Sequence, residues 1–401
     1  MLRFASGSVR AVNARRAVQE TLELAYGSTS PGPGVILINA TVGHDLVALS
    51  EAVRTEIPGA LVLAASCAGT VGREGPGEST YDVALMGIDG DGWVVSRADG
   101  LNGETSFASG VKLARGLLGT PHPVTMVYLV ASGIDIANDR ILAGMESILG
   151  PDVTIFGATS SDQMKGIATY QAIDGVLGQH VAFAVGFWDP TLSVDTQASH
   201  GFVATGEPLI VTAARGNRIV ELNGRTAWPM YLETLGLPPD ATEADTIPIG
   251  ALAERLSDVL AAEYGNPDIL RVVTHHTDAG EIIYATEIAP GTRLHLTVRD
   301  EDRIFSDMDR LLRAMTARRD GRVPVAVFQA DCLARGRRLL GRVMKDELVQ
   351  RIQHPFKVDG VTPPWLGMYG FGEYARLGGH NAYHNYTTAL ATIYRAAPTD
   401  A

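Results

Sequence analysis

The chain of 401 residues lacks most features that mark secreted, membrane or nucleic-acid-binding proteins. It has only two cysteines, Cys67 and Cys332, too few for the disulfide framework of a small secreted domain. Lysine and arginine number 33 against 45 aspartate and glutamate, and the net charge of −12 argues against nucleic acid or an anionic membrane as a partner. No run of about 18 uncharged apolar residues occurs, so no membrane span is expected.

Signatures of targeting and of common catalytic sites are missing as well. The first 25 residues mix arginine and glutamate into the apolar pattern, so we expect no signal peptide and a soluble, cytoplasmic protein. No Cys-x-x-Cys, His-Glu-x-x-His or Walker sequence is present, and the Gly-x-Gly fragments lack a dinucleotide fingerprint. The sequence therefore gives no positive support for an enzyme.

A structural unit recurs three times along the chain. In each copy an apolar, β-type run leads into an amphipathic helix, a second apolar run, a glycine-rich polar turn and a further strand. The first strands of the copies lie at 35–38, 124–129 and 325–328, and the turns lie at 66–70, 157–162 and 370–373. The pattern predicts an α/β fold of repeated β-α-β-turn-β units. Further strands at 82–86 and 180–187 predict mixed parallel and antiparallel sheets.

The length predicts two such domains. Residues 1–30 are expected to carry a helix that ends at Gly27, followed by a linker. The first domain then spans 31–208 and the second 209–401. The second begins with a strand from 209–211 and a hairpin in which the strand at 218–222 leads into the turn Asn223-Gly224. Within the second domain the sequence also predicts helices at 228–235, 252–264 and 303–315, and a strand over 382–388.

Strand ends that carry small polar residues leave backbone N–H groups and hydroxyls facing a ligand, and three such ends predict a built pocket. The richest polar stretch lies between Gly370 and Thr387, where Glu373 ends one strand and histidines lie on the next. Such a pair suits an ammonium group, a metal or a haem iron. The alternative is an exposed hairpin whose polar groups satisfy one another.

The cysteines and the histidine pair each have a structural interpretation as well as a functional one. Cys67 lies at a strand end, where a nucleophile can sit, but no base adjoins it, and lining a pocket or filling the core are competing roles. Cys332 is expected at a helix start, where the helix N-terminus and Arg335 would attract an anion; a buried thiol is equally consistent. His275 and His276 are neighbours on a strand and so point to opposite faces, which disfavours a shared metal ion.

Several of these stretches together resemble the FIST family, the paired FIST-N and FIST-C regions of prokaryotic signal-transduction proteins. The resemblance covers roughly residues 30–395 and makes the two predicted domains FIST-N-like and FIST-C-like. The stretches that carry it are Ala65–Gly69, Phe156–Asp162, Val211–Ala227, the Cys-x-x-Arg-Gly pattern of Asp331–Gly336, Gly367 with Gly372-Glu373, and the Asn-x-x-x-Asn-x-Thr pattern of Asn381–Thr387.

The resemblance implies an intracellular sensory module for small molecules, with amino acids as proposed ligands. It would signal to a separate partner, such as a histidine kinase or a cyclic-di-GMP enzyme. It also implies a second hypothesis, a nitric oxide sensor that binds haem b, with His384 or His380 as axial ligand. A cysteine-dependent enzyme using Cys67 and a pure protein-interaction scaffold are further alternatives.

In the amino-acid version, Glu373 or Asp162 would hold the ammonium group, and Arg335 with helix N–H groups would hold the carboxylate. The complete set of predicted ligand-binding residues is Cys67, Thr70, Ser160, Asp162, Cys332, Arg335, Glu373 and His384.

Overall fold

The computed structural model describes residues 1–29, 32, 34–336 and 340–396. The structure contains three six-stranded sheets, one for each copy of the recurring unit, and corresponding strands follow the same order in each. An eight-stranded sheet is inserted into the third unit. The mixed α/β architecture of repeated units is therefore confirmed. Among the residues that the structure describes, no helix has the length and hydropathy needed to cross a bilayer.

The first two units follow each other directly. The first unit consists of β1 (Arg3–Arg10), α1 (Ala14–Tyr26), β2 (Val35–Thr41), α2 (Leu46–Glu56), β3 (Leu61–Cys67), β4 (Thr70–Gly72), β5 (Gly75–Gly77) and β6 (Asp82–Asp89). The second unit consists of β7 (Trp93–Asp99), α3 (Ser106–Gly116), β8 (Met126–Ala131), α4 (Asn138–Leu149), β9 (Thr154–Thr159), β10 (Gln171–Ile173), β11 (Val176–Gly178) and β12 (Val181–Phe187).

The third unit is split by the inserted sheet. It opens with β13 (Leu192–Ser199). The insertion comprises β14 (Phe202–Arg215), β15 (Arg218–Leu222), β16 (Arg225–Thr226), α5 (Ala227–Leu235), α6 (Glu243–Thr246), β17 (Ala251–Arg255), α7 (Asp258–Tyr264), β18 (Asp268–Arg271), β19 (Val273–His276), β20 (Ile282–Tyr284) and β21 (Arg293–Arg299). The unit ends with α8 (Glu301–Ala317), β22 (Val323–Cys332), α9 (Arg342–Gln353), β23 (Trp365–Gly370), β24 (Gly372–Leu377), β25 (His380–His384) and β26 (Thr388–Arg395).

The three units are interlaced by an exchange of hairpins. Each unit keeps one parallel strand pair, β2–β3, β8–β9 or β22–β23, and gives the hairpin after its polar turn to another unit's sheet. Thus β4 pairs with β23, β10 with β3, and β24 with β9. The exchange draws the three turns together. Apolar side chains of all three sheets, including Leu37, Phe156 and Phe328, form one shared core.

Most predicted elements are present, with three differences. The predicted N-terminal helix ends at Gly27 as expected, and β1 precedes it, held by antiparallel pairing with β6. The helix predicted over 252–264 is wrong in its first half: β17 forms there because it pairs with β18 and β21, and tertiary pairing overrides helical periodicity. The strand predicted over 382–388 is broken at Tyr386, whose φ of 56° is left-handed.

The predicted hairpin is confirmed, because β15 leads into the Asn223-Gly224 turn and pairs with β16; the strand predicted from residue 209 is part of β14. The domain boundary at residue 208 stays a prediction. Strand pairs cross it, since β13 pairs with β26 and β24 pairs with β9.

Candidate functional site

The three polar turns meet through direct hydrogen bonds. In the second turn, the Ser161 hydroxyl accepts from the Ala68 N–H of the first turn at 2.9 Å and donates to the Tyr369 carbonyl beside the third turn at 2.5 Å. The Ser66 hydroxyl donates to the Ser161 carbonyl at 3.1 Å. A Cβ on Gly133 would lie 2.0 Å from the Ser160 carbonyl oxygen, so the junction is tightly packed. The turns therefore largely satisfy one another.

A buried ionic cluster lies beside the third turn. Asp331 stands at the carboxyl end of β22 and is fully buried. One of its oxygens, Oδ2, accepts from Lys345 Nζ at 2.5 Å, and the other, Oδ1, accepts from the Thr388 hydroxyl at 3.0 Å and lies 3.6 Å from Arg335 Nε. Lys345 reaches the strand end because α9 returns over the parallel pair that β22 forms with β23. Asp331 is thus in ion-pair contact with two buried cations.

Arg335 is only partly satisfied in this cluster. Its side chain is 1% exposed, and Nη1 donates to the His200 backbone carbonyl. Within the described part of the chain, Nε and Nη2 have no hydrogen-bond partner. A buried donor without a partner costs about 1–3 kcal/mol, and more when it is charged. Arg335 therefore offers unused N–H groups of the kind that bind a carboxylate or phosphate.

Glu373 complements Arg335 with an unused oxygen. The residue is fully buried in β24; Oε2 accepts from the Thr387 hydroxyl at 2.7 Å and from the Thr387 N–H at 3.3 Å. No residue in the described ranges bonds Oε1. Burial raises the pKa of Glu373 well above its usual range, and the nearby Asp331 charge adds to the rise, against Thr387 and Arg335. Burial therefore favours the neutral, protonated form of Glu373 in the free protein.

An aromatic layer covers the cluster. His384 lies directly opposite Glu373 in the pairing of β24 with β25. Its Nδ1 is 3.3 Å from the Tyr264 hydroxyl, and its Nε2 is 3.4 Å from the Ala375 carbonyl oxygen. The Tyr264 ring centroid lies 5.4 Å from that of His384 and 5.6 Å from that of His200. The layer joins α7 of the insertion to the third unit.

Two family models match this chain. The FIST N domain model matches residues 34–225, and the FIST C domain model matches residues 227–376. The chain belongs to the FIST family. FIST domains are in general sensory domains for small ligands rather than catalytic ones. The buried residues Asp331, Arg335, Lys345 and Glu373 all lie in the FIST C region.

Relatives of this FIST protein include two uncharacterized mycobacterial proteins. The protein MT0656 of Mycobacterium tuberculosis is 25% identical over 97% of this chain and 99% of its own length. The protein Mb0898c of Mycobacterium bovis is 29% identical over 48% of each chain. Among solved structures, Thermotoga maritima PurL complexed with ATP is 8% identical. The match covers 98% of this chain and 72% of PurL, and its TM-score of 0.22 is too low to indicate a shared fold.

Four of the predicted ligand-binding residues of the FIST protein come together at the cluster. They are Cys332, Arg335, Glu373 and His384. Cys332 ends β22 next to Asp331, and burial raises the pKa of its thiol well above the usual range, with nearby Glu373 adding to the rise whenever it is ionised. Its thiol is therefore protonated.

The other predicted residues belong to the turns. Cys67 is fully buried at the end of β3, and burial raises the pKa of its thiol far above the usual range, so it is no activated nucleophile. Thr70 is buried in β4, and the Ser160 hydroxyl accepts from Gln171 Nε2 at 2.7 Å. The Asp162 carboxylate accepts the three backbone N–H groups of residues 165–167, so it shapes its own loop.

Sequence reasoning missed Asp331, Lys345, His200 and Tyr264 as parts of the site. Two of them have features that could have been recognised in the sequence. Asp331 is an acidic residue at the end of an otherwise apolar strand, and Lys345 lies on the helix face that buries Leu348, Val349 and Ile352.

The residues of this FIST protein do not fit a haem group. A haem iron needs a histidine with a free ring nitrogen. Both nitrogens of His384 are engaged, and its ring stacks on Tyr264. His380 is a largely exposed histidine whose Nδ1 lies 3.8 Å from Glu146 Oε2. In the described ranges, no group of three His, Cys, Asp or Glu side chains is arranged to hold a metal ion.

The buried His200 and His384 make the stability of this protein depend on pH. Burial lowers the pKa of His200 and of His384 to about 3, whereas in the unfolded chain each protonates near pH ~6.5. The unfolded state thus binds more protons below about pH 6.5, and each histidine lowers stability by about 1.4 kcal/mol per pH unit as the pH falls from there toward 3. Glu373 acts with the opposite sign above pH ~4.5, because it keeps its proton only when folded.

We therefore expect His384→Gln to reduce the slope of unfolding free energy against pH, measured by urea unfolding at several pH values between about 6.5 and 4.5, by about 1.4 kcal/mol per pH unit. Wild type and variant share Glu373, so its contribution cancels. The exposed His122→Gln is the control and should leave the slope unchanged. Equal slopes in all three proteins would contradict a neutral, buried His384.

Proposed function

We propose that this FIST protein is a cytoplasmic sensor that binds a small carboxylate-bearing metabolite, an amino acid or close analogue, at the cluster of Asp331, Arg335, Lys345 and Glu373. One observation carries the proposal: two nitrogen atoms of the buried Arg335 guanidinium, Nε and Nη2, have no hydrogen bond, and neither has Oε1 of the nearby buried Glu373. Unpaired buried groups of opposite kind are what a ligand with both an anionic and a cationic end would satisfy.

The roles of the side chains follow from what each already contacts. Arg335 would bind the ligand carboxylate through Nε and Nη2, a geometry that a guanidinium provides and an ammonium does not. Glu373 Oε1 would accept the ligand ammonium group. Asp331 is occupied by Lys345 and Thr388 and would fix the positions of the cations.

Glu373 also distinguishes two kinds of ligand. An amino acid is bound best by an ionised Glu373, so its binding would favour release of a proton from Glu373, whose neutral form burial favours in the free protein. A 2-oxo acid has no ammonium group, and it would leave Glu373 protonated. Amino-acid binding is then expected to strengthen as the pH rises, and 2-oxo acid binding is not.

Signalling would follow from the position of the site between parts of the fold. The ligand would contact both β22 of the third unit and β24, which belongs to the hairpin that this unit adds to the second sheet. The aromatic layer that includes Tyr264 of α7 would cover it. A ligand that binds one arrangement of these parts better shifts the population toward it. We propose that a separate protein, a histidine kinase or a cyclic-di-GMP enzyme, reads that shift.

A thermal-shift screen of the standard amino acids and their 2-oxo acids tests the proposal. We expect one chemical group of ligands to raise the Tm of the wild type, since a ligand at 100 times its Kd adds about 2.7 kcal/mol. Glu373→Gln should fold, because a neutral amide replaces a neutral carboxyl, and should lose the amino-acid response but keep that to the 2-oxo acid. The exposed Glu347→Gln serves as control. Absence of any response in the wild type would refute the proposal.

A further inference from the structure

A surface groove of about 340 Å³ lies on the outer side of the aromatic layer. It runs between β13, the turn that joins β24 to β25, and the ends of α7 and α8. Asp195, Glu263, Arg318 and Arg376 line it. Tyr264, only 5% exposed, forms part of its wall.

The same tyrosine closes the inner side. Its hydroxyl contacts His384 Nδ1, and its ring packs near that of His200, whose backbone carbonyl accepts a hydrogen bond from Arg335. Tyr264 thus lines the groove on one side and contacts, on the other, the two histidines that adjoin the Arg335 cluster.

The helix that carries Tyr264 has few buried side chains, although Leu260 packs against the shared core and the Tyr264 carbonyl accepts from Arg310 Nη2 at 2.7 Å. Of the seven residues of α7, Tyr264 alone is buried, and Val259 is 77% exposed. The helix is fastened to the hairpin turn where Glu263 Oε1 accepts the Gly378 N–H at 2.9 Å; there the Leu260 side chain also lies against Gly378. Segments with few buried side chains open locally at low free-energy cost.

We propose that this groove is the entrance to the ligand site and that Tyr264 is its gate. Release of the α7 contacts at Gly378 lets the Tyr264 ring leave His384 and opens the groove to Arg335 and Glu373. The inference rests on the proposed function for the identity of the site behind the gate. Its test needs no ligand, so the two can fail separately.

Cys332 reports on access to the cluster, because it is buried there and the chain has only one other cysteine, Cys67. Methyl methanethiosulfonate, a small uncharged thiol reagent, is the probe. In a Cys67→Ser protein we expect Tyr264→Ala to speed Cys332 modification by about tenfold or more. Tyr264→Phe, which keeps the ring, should stay within about twofold of the parent.

Two controls separate gating from general loosening. In a Cys332→Ser protein, Tyr264→Ala should leave the Cys67 rate unchanged. Tyr284→Ala, which truncates a fully buried tyrosine of β20, should not accelerate Cys332 selectively. Should Tyr264→Ala fail to fold, Glu263→Ala removes the surface contact to Gly378 instead and should accelerate Cys332 alone. Equal acceleration of both cysteines, or an unchanged Cys332 rate, would overturn the gate.

Discussion

Replacing Asp331 by asparagine is expected to lower the free energy of unfolding by about 3–5 kcal/mol. Asp331 is in ion-pair contact with both Lys345 and Arg335, and these side chains are at most 1% exposed. Without its charge, both cations stay buried beside a neutral amide, and solvent cannot compensate them. Urea unfolding of wild type and variant at neutral pH measures the loss.

A matched pair of variants isolates the effect of burial. Asp309→Asn breaks an ion pair with Arg351 whose side chains are 35% and 39% exposed, and should cost less than about 1 kcal/mol. Adding Lys345→Met to Asp331→Asn should recover part of the stability, because it removes one uncompensated charge. A cost for Asp331→Asn no larger than that for Asp309→Asn would show that the cluster does not hold two buried cations.

Arg335→Lys is expected to weaken binding of the carboxylate ligand by about 30-fold, since losing one hydrogen bond to a charged group costs about 1.5–3 kcal/mol. Lysine keeps the charge but lacks the planar fork that addresses two carboxylate oxygens at once. Isothermal titration of the ligand found in the thermal-shift screen provides the two affinities. Unchanged affinity would remove Arg335 from the ligand site.

The control for this variant is Arg342→Lys, the same substitution on a side chain that is 80% exposed at the start of α9. It should leave the affinity unchanged. A comparable loss in both variants would point to a general effect of charge rather than to a specific contact at Arg335.

The sequence predicted the repeated units well because their signals are local. Apolar runs, helical spacing and glycine-rich turns each lie within a few residues. The exchange of hairpins was beyond reach, because strands as short as β4 and β5, of three residues each, carry too little pattern to specify a partner. The β17 strand was missed for a related reason, since its pairing with β18 and β21 outweighed its local helical pattern.

The candidate site was likewise predictable only where its signals are local. Motifs drew attention to Arg335 and Glu373, yet Lys345, which forms the buried ion pair with Asp331, is found only when α9 is placed over β22. Asp162 shows the converse. It resembles a ligand-binding carboxylate in sequence, and only the structure reveals that its oxygens are used by its own loop.

The central claim is that the ligand binds in the buried cluster, and Cys332 allows the most direct test. The measurement is the rate of Cys332 modification by methyl methanethiosulfonate in the Cys67→Ser protein, with and without the stabilising carboxylate at about 100 times its Kd. We expect the ligand to slow Cys332 by about tenfold or more while Cys67, measured in the Cys332→Ser protein, keeps its rate. An unchanged Cys332 rate at saturating ligand would contradict binding at this site.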